Sequence, residues 1–433
     1  MTHFTDFNFN PILASNLQKH GFVTPTPVQA QSIPPAREGR DLVATAQTGT
    51  GKTLAFTLPL LERLLATPKR VRHIQVVVLS PTRELAIQIN ETFTKVAAGT
   101  GLHSAVVVGG VDENKQLKQI RQGAQVVIAT PGRLCDFLDR RLVDLSRVEA
   151  VVLDEADRML DMGFLPPLRQ ILDEVPESRQ TLLFSATIEA SVAHLIKDYV
   201  HEPARIAIGT TTKPAEKVDL HLYEVEHGHK LNLLTHLLGQ EPGSTLVFAR
   251  TKRGTDRLAK HLANGGVKAA RIHGDRTQSQ RNQALDGFKK GSYQVLVATD
   301  VAARGIHVDG IAHVVNFDLP QVPEDFIHRV GRTGRAGARG VASTFVLPSE
   351  RGEVKRIERS LSVRLASREV PEYIKTLETR VPRTTAASAE APAAHGPRNG
   401  KSAPPHRGFA KRSPNDPRAS KGKSSVRRAR RFA

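Results

Sequence analysis

Residues 41–53 read DLVATAQTGTGKT, a short apolar strand followed by a glycine-rich turn that opens a helix. Gly49 and Gly51 allow the backbone amides to fold around phosphate oxygens, and the helix N-terminus adds the positive end of its dipole. Lys52 can then reach the β- and γ-phosphates of a nucleotide, and the Thr53 hydroxyl can coordinate Mg²⁺. The stretch therefore predicts a nucleotide site at the end of a strand.

The strict form of this turn, G-x-x-x-x-G-K-[ST], begins with glycine, whereas this chain has Ala46, so a chance glycine-rich turn is the alternative. A second stretch, VVLDEAD at 151–157, reduces the weight of that alternative. Its apolar run is typical of a strand buried on both faces and ends in three carboxylates. An isolated Asp-Glu pair is usually a solvated strand-to-loop junction. Next to a triphosphate, however, Asp154 can support Mg²⁺ and Glu155 can orient or deprotonate the attacking water.

The composition indicates a two-domain protein of a reducing compartment. A chain of 433 residues is too long for one ordinary core. No apolar run approaches the roughly 18 residues that a membrane span needs, and the N-terminal MTHFTDFNFN lacks the pattern of a secretory signal. The single cysteine, Cys135, excludes an internal disulfide and is expected to be a small buried side chain. No Cys/His cluster has zinc spacing, and we expect a cytoplasmic protein.

The formal net charge of +19 is concentrated at the C-terminus. Residues 383–433 hold 13 Lys and Arg against 2 Asp and Glu, which gives +11. Alanine, proline, serine and basic residues dominate this stretch, and such a composition cannot bury enough apolar surface to offset the chain entropy. We expect a disordered basic tail whose natural partner is a polyanion.

Short apolar runs alternate with helix-like segments along the rest of the chain. Strands are expected at 74–80, 104–110, 125–130, 150–157 and 181–187, and again at 245–251, 269–274, 293–300, 313–318 and 341–347. This alternation favours βαβ units and parallel sheets. We expect a first domain at 1–208, a polar linker at 209–219, a second domain at 220–368 and a basic, largely disordered tail at 369–433.

Two stretches, VVVLSPTREL and VVIATPGRL, repeat one design. Each runs from an apolar strand through a small hydroxyl residue and a proline to an arginine in the first helical turn. Proline suits the first position of a helix, so each stretch presents a helix N-terminus beside a cation, which can bind a backbone phosphate. The alternative is an ordinary helix cap.

Seven motifs occur in one order: AQTGTGKT (46–53), PTRELA (81–86), TPGR (130–133), DEAD (154–157), SAT (185–187), ARGIHVDG (303–310) and HRVGRTGR (328–335). In this respect the chain closely resembles the DEAD-box RNA helicases, ATPases built from two RecA-like domains. The resemblance covers about Phe4 to Leu365. The phrase DEADRMLDMGF and the short core with a basic tail are most similar to the bacterial RhlE-type group.

The resemblance implies a set of ATP contacts, of which Gln29 in GFVTPTPVQ (21–29) would read adenine. A glutamine amide offers one donor and one acceptor edge, which matches adenine N6 and N7 and should select ATP over GTP. Phe4 lies where the family places an aromatic residue that stacks on the base, although a lone phenylalanine is often a core residue. The expected nucleotide-binding residues are Phe4, Thr24, Gln29, Ala46, Gln47, Thr48, Gly49, Thr50, Gly51, Lys52, Thr53 and Asp300.

The resemblance also implies catalytic, coupling and RNA-binding residues. The catalytic set is Lys52, Asp154, Glu155, Arg332 and Arg335, with Thr53 and Asp154 at the metal. Ser185, Thr187 and His328 would couple hydrolysis to domain closure. Arg83, Gly110, Thr130, Arg133, Thr251, Arg281 and Thr299 would lie on the RNA backbone. His328, Arg332 and Arg335 share one face if their segment is helical, although a solvated face has the same spacing.

These observations predict an RNA-dependent ATPase that uses ATP and Mg²⁺ to unwind short RNA duplexes locally or to remodel RNA–protein complexes. The expected partners are single-stranded and short duplex RNA, bound mainly through the backbone. Ribosome precursors and RNA-decay complexes are candidate assemblies; no membrane partner is expected, and the chain should be a monomer. A DNA-translocating helicase is one alternative. A non-catalytic RNA clamp is another, but it would need damaged motifs, and Lys52, Glu155 and Arg335 are present.

Overall fold

The chain forms two parallel sheets, one after the other along the sequence. The computed structural model describes residues 2–47, 49–66, 73–208, 218–240, 243–303, 308, 310–334 and 339–376. Thr48, Arg335, most of the expected linker and the tail beyond residue 376 lie outside the described residues.

The first sheet has seven strands among the described residues, all parallel, in the order β3-β4-β2-β5-β6-β1-β7. The strands are β1 Leu42–Ala46, β2 Val76–Leu79, β3 Ser104–Val107, β4 Val126–Ala129, β5 Ala150–Asp154, β6 Gln180–Ser185 and β7 Ala204–Ile208. Two helices precede β1, and the others lie between the strands: α1 Pro11–Lys19, α2 Pro27–Arg37, α3 Lys52–Ala66, α4 Arg83–Val96, α5 Glu113–Arg121, α6 Pro131–Asp139, α7 Ala156–Asp161, α8 Leu165–Asp173 and α9 Ala190–Tyr199.

The second sheet repeats this architecture in the order β10-β11-β9-β12-β13-β8-β14, again with parallel pairing. The strands are β8 Val218–Glu224, β9 Ser244–Phe248, β10 Ala269–Ile272, β11 Val295–Ala298, β12 Ile311–Asn316, β13 Gly340–Val346 and β14 Ala366–Arg368. The helices are α10 Lys230–Gln240, α11 Lys252–Asn264, α12 Gln278–Lys289, α13 Asp300–Ala303, α14 Pro323–Val330, α15 Arg351–Leu361 and α16 Glu372–Thr376. Counted from the first strand of each sheet, the two orders are identical.

Both faces of each sheet are covered, which explains the continuous apolar runs. In β5, Ala150 and Val152 join the core on one face, whereas Val151 and Leu153 join the core on the other. Strands buried on both faces have no polar alternation to preserve. None of the described helices combines the length and apolar character that a membrane crossing requires.

Three differences from the sequence analysis concern the borders. β8 begins at Val218, so Val218 and Asp219, which we expected in the linker, are the first two residues of a strand. At the C-terminal border of the second domain, Val370 and Ile374 are buried in the core of that domain, so the folded part extends past residue 368. The strands β7, β8 and β14 were not predicted, because they lie towards one edge; β7 and β8 are only partly buried, and β14 is exposed throughout. The α/β class with parallel sheets is confirmed.

Candidate functional site

The phosphate-binding turn lies between the end of β1 and the start of α3. Gly49 and Gly51 adopt positive φ values of 87° and 93°, a conformation that glycine tolerates and other residues rarely adopt. The Lys52 side chain is buried, and its Nζ donates to the carbonyl oxygen of Ala46 at 3.0 Å. The Thr50 hydroxyl donates to the Gln47 carbonyl at 2.8 Å. The described part of the turn is therefore held in shape by its own residues.

Gln29 contacts this turn directly. Its Nε2 donates to the Gly51 carbonyl at 2.9 Å, and its Oε1 accepts from the Thr26 amide at 2.8 Å. The second contact is half of a capping box for α2, a structural role that the sequence analysis missed. One N–H and one lone pair of the amide at most are left for a base. Thr24 is exposed, whereas the Thr26 hydroxyl lies beside Gly51.

Phe4 is only 5% exposed and packs in the core of the first domain, with its ring centroid 6.2 Å from that of Phe7. Its amide donates to the Val23 carbonyl at 2.9 Å, which fixes it beside the segment that precedes Gln29. The core interpretation, one of the two that the sequence left open, agrees better with this burial than base stacking does.

Asp154 ends β5, at the same sheet edge as the phosphate-binding turn. The side chain is 2% exposed, and its Oδ1 has no hydrogen-bond partner among the described residues. Burial raises the pKa of this carboxyl to about 7, and the positive charge of Lys52 offsets part of the rise. A buried, unpaired carboxylate oxygen beside a phosphate-binding turn is a fitting ligand for a divalent cation. Among the described residues no group of three or more His, Cys, Asp or Glu could hold a metal, but Mg²⁺ commonly takes one or two carboxylates plus phosphates and waters.

Glu155 follows at the first turn of α7 with φ 53° and ψ 53°, a left-handed conformation that is uncommon for a residue other than glycine. Its Oε2 accepts from Nη1 of Arg158 at 3.0 Å, and both side chains are almost fully buried. The turn after β5 therefore holds the Glu155 carboxylate beside a guanidinium group.

Asp157 joins the DEAD segment to the SAT segment. Its Oδ2 accepts from the amides of Ala186 and Thr187 at 3.0 and 2.9 Å and from the Thr187 hydroxyl at 3.2 Å. The Asp157 amide donates to the Ser185 hydroxyl at 3.2 Å. Two of the expected coupling residues are thus bound to the turn that carries Glu155.

In the second domain, Asp300 is engaged by a buried arginine that the sequence analysis did not name. Arg329 donates from Nε and Nη2 to the two carboxylate oxygens of Asp300, at 2.5 and 2.7 Å. A third nitrogen, Nη1, donates to the carbonyl of Asp318 at 2.6 Å. A ribose contact by Asp300 would have to share the carboxylate with Arg329.

The segment HRVGRTGR is not one continuous helix. α14 ends at Val330, with Gly331 as its cap, so the expected single helical face does not extend to Arg332. Arg332 is nevertheless buried, and its Nε donates to the His328 carbonyl at 3.1 Å. The two domains meet here, in a small cleft lined by Arg158, Phe248, Asp300, Ala303, Asp325, His328, Arg329 and Arg332.

Four of the expected RNA contacts lie close together. The Arg83 guanidinium packs against the backbone of Gly110, where a Cβ would come within 2.1 Å of Nη1. Burial and the neighbouring charges of Arg281 and Arg133 lower the pKa of Arg83, while Glu84 partly offsets them. These cations come from both domains.

Glu84 and Gln278, which the sequence analysis did not name, connect the two domains. Oε1 of Glu84 accepts from Nε of Arg281 and from Nε2 of Gln278, both at 2.9 Å. Nη1 of Arg83 donates to Oε1 of Gln278 at 3.4 Å. The expected RNA contacts of the two domains are thus linked through one buried carboxylate.

The remaining expected RNA contacts lie at helix starts. Thr130 precedes α6, whose first residue is Pro131 as predicted, whereas Pro81 lies outside α4 because Thr82 is the cap. Arg133, in α6 but already counted among the four clustered contacts, is paired with Asp136 at 2.7 Å. The other two lie in the second domain: the Thr251 hydroxyl caps α11 by accepting from Gly254 N at 3.0 Å, and Thr299 precedes α13.

Comparison with known proteins identifies the family. Residues 26–195 match the family described as DEAD/DEAH box helicase, and residues 229–337 match the helicase conserved C-terminal domain. A Bacillus cereus protein named DEAD-box ATP-dependent RNA helicase CshA is 42% identical over 379 residues, which cover 87% of this chain and 72% of the relative. A Bacillus subtilis protein of the same name is 42% identical over 376 residues, 87% of this chain and 76% of the relative.

The fold agrees with that assignment. A solved structure of S. cerevisiae Dbp5 bound to RNA and ADP BeF3 matches with a TM-score of 0.78 and 30% identity, covering 87% of this chain and 98% of that chain. The expected pair of tandem RecA-like domains is therefore confirmed. On its sequence, its two domains and these matches, the chain belongs to the DEAD-box ATP-dependent RNA helicases.

Proposed function

We propose that this protein is an RNA-dependent ATPase that locally separates short RNA duplexes or remodels RNA–protein complexes. One observation carries the proposal. Asp154 interacts with Lys52 of the phosphate-binding turn, and the next residue, Glu155, pairs with Arg158. Arg158 in turn lines a cleft with Arg329 and Arg332 of the second domain. A nucleotide bound at the turn would therefore have its reactive end near both domains.

The first domain would bind ATP. The glycine-rich turn would surround the phosphates with amides, and Lys52 would exchange the Ala46 carbonyl, 3.0 Å away, for a phosphate oxygen. The remaining donor and acceptor of the Gln29 amide would face adenine. The hydrogen bond from this amide to the Gly51 carbonyl would connect the base to the phosphate-binding turn. Phe4 would support this segment from the core.

Asp154 and Thr53 would hold Mg²⁺, because the unpaired Oδ1 of Asp154 offers the oxygen ligand that this cation prefers. When bound, the cation would neutralise charge on the β- and γ-phosphates. Glu155 would orient the attacking water and accept its proton. The Arg332 segment would stabilise the negative charge that develops on the transferred group; Arg335, the second expected finger, lies outside the described residues.

RNA would bind through its backbone across both domains. Arg83, Gly110 and Arg281 lie where two domains can hold one strand, and contacts to phosphates carry no sequence preference. Glu84 of the first domain already accepts from Arg281 of the second at 2.9 Å, so RNA binding and domain closure would depend on the same residues. The binding of ATP and the binding of RNA would then favour each other, because each binding site is complete only in the closed arrangement of the domains.

The finer assignments rest on the sequence. DEADRMLDMGF and the short basic tail support the RhlE-type group, although the bacterial relatives described above carry the name CshA. Cytoplasmic location, a monomeric state, and ribosome precursors or RNA-decay complexes as targets stay predictions. For the domains we propose 1–208 and 218–376, which includes the first residues of β8 and the buried Ile374.

The test is steady-state ATP hydrolysis by the full chain alone, with single-stranded RNA and with DNA of the same sequence. We expect RNA to raise turnover at least about tenfold, within the usual range of coupling between sites, and DNA to do much less. Equal stimulation by DNA would favour a DNA translocase, and RNA binding without hydrolysis would favour a clamp. Lys52→Ala should abolish turnover, whereas Lys230→Ala, which removes an equally buried lysine of the second domain, tests for a mere folding effect.

A further inference from the structure

Arg158 is a buried cation for which the proposed chemistry has no role so far. It lies on α7 and is 1% exposed, one of the largest fully buried side chains of the described chain. A buried guanidinium is costly unless it is paired and hydrogen-bonded. Its position therefore needs an explanation.

The two terminal nitrogens of this guanidinium differ in their surroundings. Nη1 donates to Oε2 of Glu155 at 3.0 Å. Nη2 is buried but has no hydrogen-bond partner among the described residues. Of the residues that line the cleft between the domains, Arg158 comes from the first domain, and the others, among them Asp325 and Arg332, come from the second.

Side chains of the second domain thus share a cleft with Arg158, whose Nη1 donates to Glu155. An ion pair in water is weak, because solvent screens it and both side chains move. The same pair is much stronger and better fixed when water is excluded. By excluding water, the approach of the second domain would change how firmly Arg158 holds Glu155.

We propose that Arg158 is a positioning residue that transmits domain closure to Glu155. In the closed arrangement the covered guanidinium fixes the Glu155 carboxylate for its work on the attacking water. When the second domain moves away, Arg158 meets solvent and Glu155 loses its fixed orientation. This inference rests on the proposed function and adds that part of the RNA dependence of hydrolysis is carried by one arginine.

The test compares Arg158→Met with Arg179→Met, which removes another buried arginine of the first domain that contacts neither Glu155 nor the cleft. Arg158→Met should lower RNA-stimulated kcat by up to about 10²-fold, and with it the stimulation ratio, as expected when a catalytic group is misplaced. The KM for ATP and the Kd for RNA should stay within about twofold of wild type, since neither ligand is held by Arg158. Arg179→Met should keep the wild-type kcat.

A double-mutant cycle shows whether Arg158 acts through Glu155. In a Glu155→Gln background, Arg158→Met should cause no further loss, because the group it positions is already gone. Wild-type stimulated kcat in Arg158→Met, or full additivity in the cycle, would overturn the inference. If Arg158→Met lacks a cooperative thermal transition, Arg158→Lys takes its place. The single ammonium of lysine cannot both pair with Glu155 and line the cleft. A wild-type stimulated kcat in Arg158→Lys would therefore equally overturn the inference. Wild-type protein without RNA-stimulated hydrolysis would instead contradict the proposed function.

Discussion

Glu155 is the residue on which hydrolysis is expected to depend most directly. Its left-handed backbone and its 3.0 Å pair with Arg158 hold the carboxylate at the end of β5, one position after Asp154. Glu155→Gln keeps the volume but removes the base. We expect kcat to fall by about 10² to 10⁴, the usual contribution of a general base, while ATP and RNA binding persist. Steady-state turnover and RNA affinity check this, and a near-wild-type kcat would remove Glu155 from the role.

Asp154 gives a pH signature in the nucleotide-free and metal-free protein. Its folded-state pKa of about 7 lies above the ordinary 3.8, so between these values the folded state binds more protons than the unfolded state. The carboxyl therefore destabilises the fold increasingly as the pH rises from about 4 to 7, by up to about 1.4 kcal/mol per pH unit. Asp154→Asn removes this titration.

The stability difference between Asp154→Asn and wild type should thus grow from about pH 4.5 to 7 and level off above about pH 8. Thermal unfolding in EDTA over a pH series measures it. Parallel stability curves for the two proteins would show that the carboxyl does not titrate in this range.

At the level of single residues, local spacing was enough to predict roles for Lys52, Asp154 and Glu155, because each lies in a short motif. The partners of these residues were not predictable in the same way. The contact of Asp157 with Thr187 spans 30 positions, and that of Arg329 with Asp300 spans 29. Such contacts depend on which strands become neighbours in the sheet, which no short motif states.

Among the elements, the turn between β1 and α3 is the most constrained. Gly51 has φ 93°, and a Cβ there would lie 2.4 Å from Nε2 of Gln29. Gly51→Ala should therefore cost on the order of 1–3 kcal/mol in strain and weaken ATP binding, because the turn is displaced together with the Gln29 amide, which we propose reads adenine. Gly352→Ala in α15 is the matched control, since a Cβ there meets nothing within 4 Å.

Chemical denaturation and ATP binding of the two glycine variants provide the comparison. If Gly51→Ala resembles Gly352→Ala in both measurements, the turn is not the rigid element that its geometry indicates.

The sequence pattern predicted the central strands well and the peripheral strands poorly. β2, β4 and β11 are apolar throughout, β5 is apolar up to Asp154, and all four are buried on both faces, so a continuous apolar run identified them. Every residue of β14 is exposed. Its pairing with β8 is a property of the finished sheet and leaves no apolar pattern in the sequence.

On the scale of the whole molecule, the two domains share a strand order but not a nucleotide site. Lys52 and Lys230 each begin the helix after the first strand of their sheet. Lys230, however, donates to the Phe317 carbonyl at 3.0 Å and lies 3.8 Å from Asp318, so its charge is used inside the second domain. We therefore expect one ATP per chain, bound by the first domain and completed by the second.

The basic tail, which lies outside the described residues, should act as an RNA anchor that ignores sequence. Removing residues 383–433 deletes +11 of charge and leaves the buried Ile374 in place. Each phosphate that the tail neutralises contributes about −0.7 to the log–log salt slope on single strands, so the truncated protein should lose a few units of slope. The loss of RNA affinity should be largest at low salt, with little change in kcat at saturating RNA.

RNA-stimulated ATPase of full-length and truncated protein across a salt series decides this. An identical KM for RNA at every salt concentration would mean that the tail is merely solvated and keeps a basic protein in solution. A collapse of kcat would mean that the tail contributes to the folded core.

The central claim is that ATP and RNA are bound by one closed arrangement of the two domains, in which Glu84 of the first domain and Arg281 of the second meet at 2.9 Å. The most direct test is the affinity of the full chain for a labelled single-stranded RNA, measured by fluorescence anisotropy without nucleotide and with a non-hydrolysable ATP analogue. We expect the ATP analogue to tighten RNA binding at least about fivefold, the lower end of ordinary coupling between sites. The corresponding GTP analogue should have much less effect. The same RNA affinity with and without the ATP analogue would contradict the central claim.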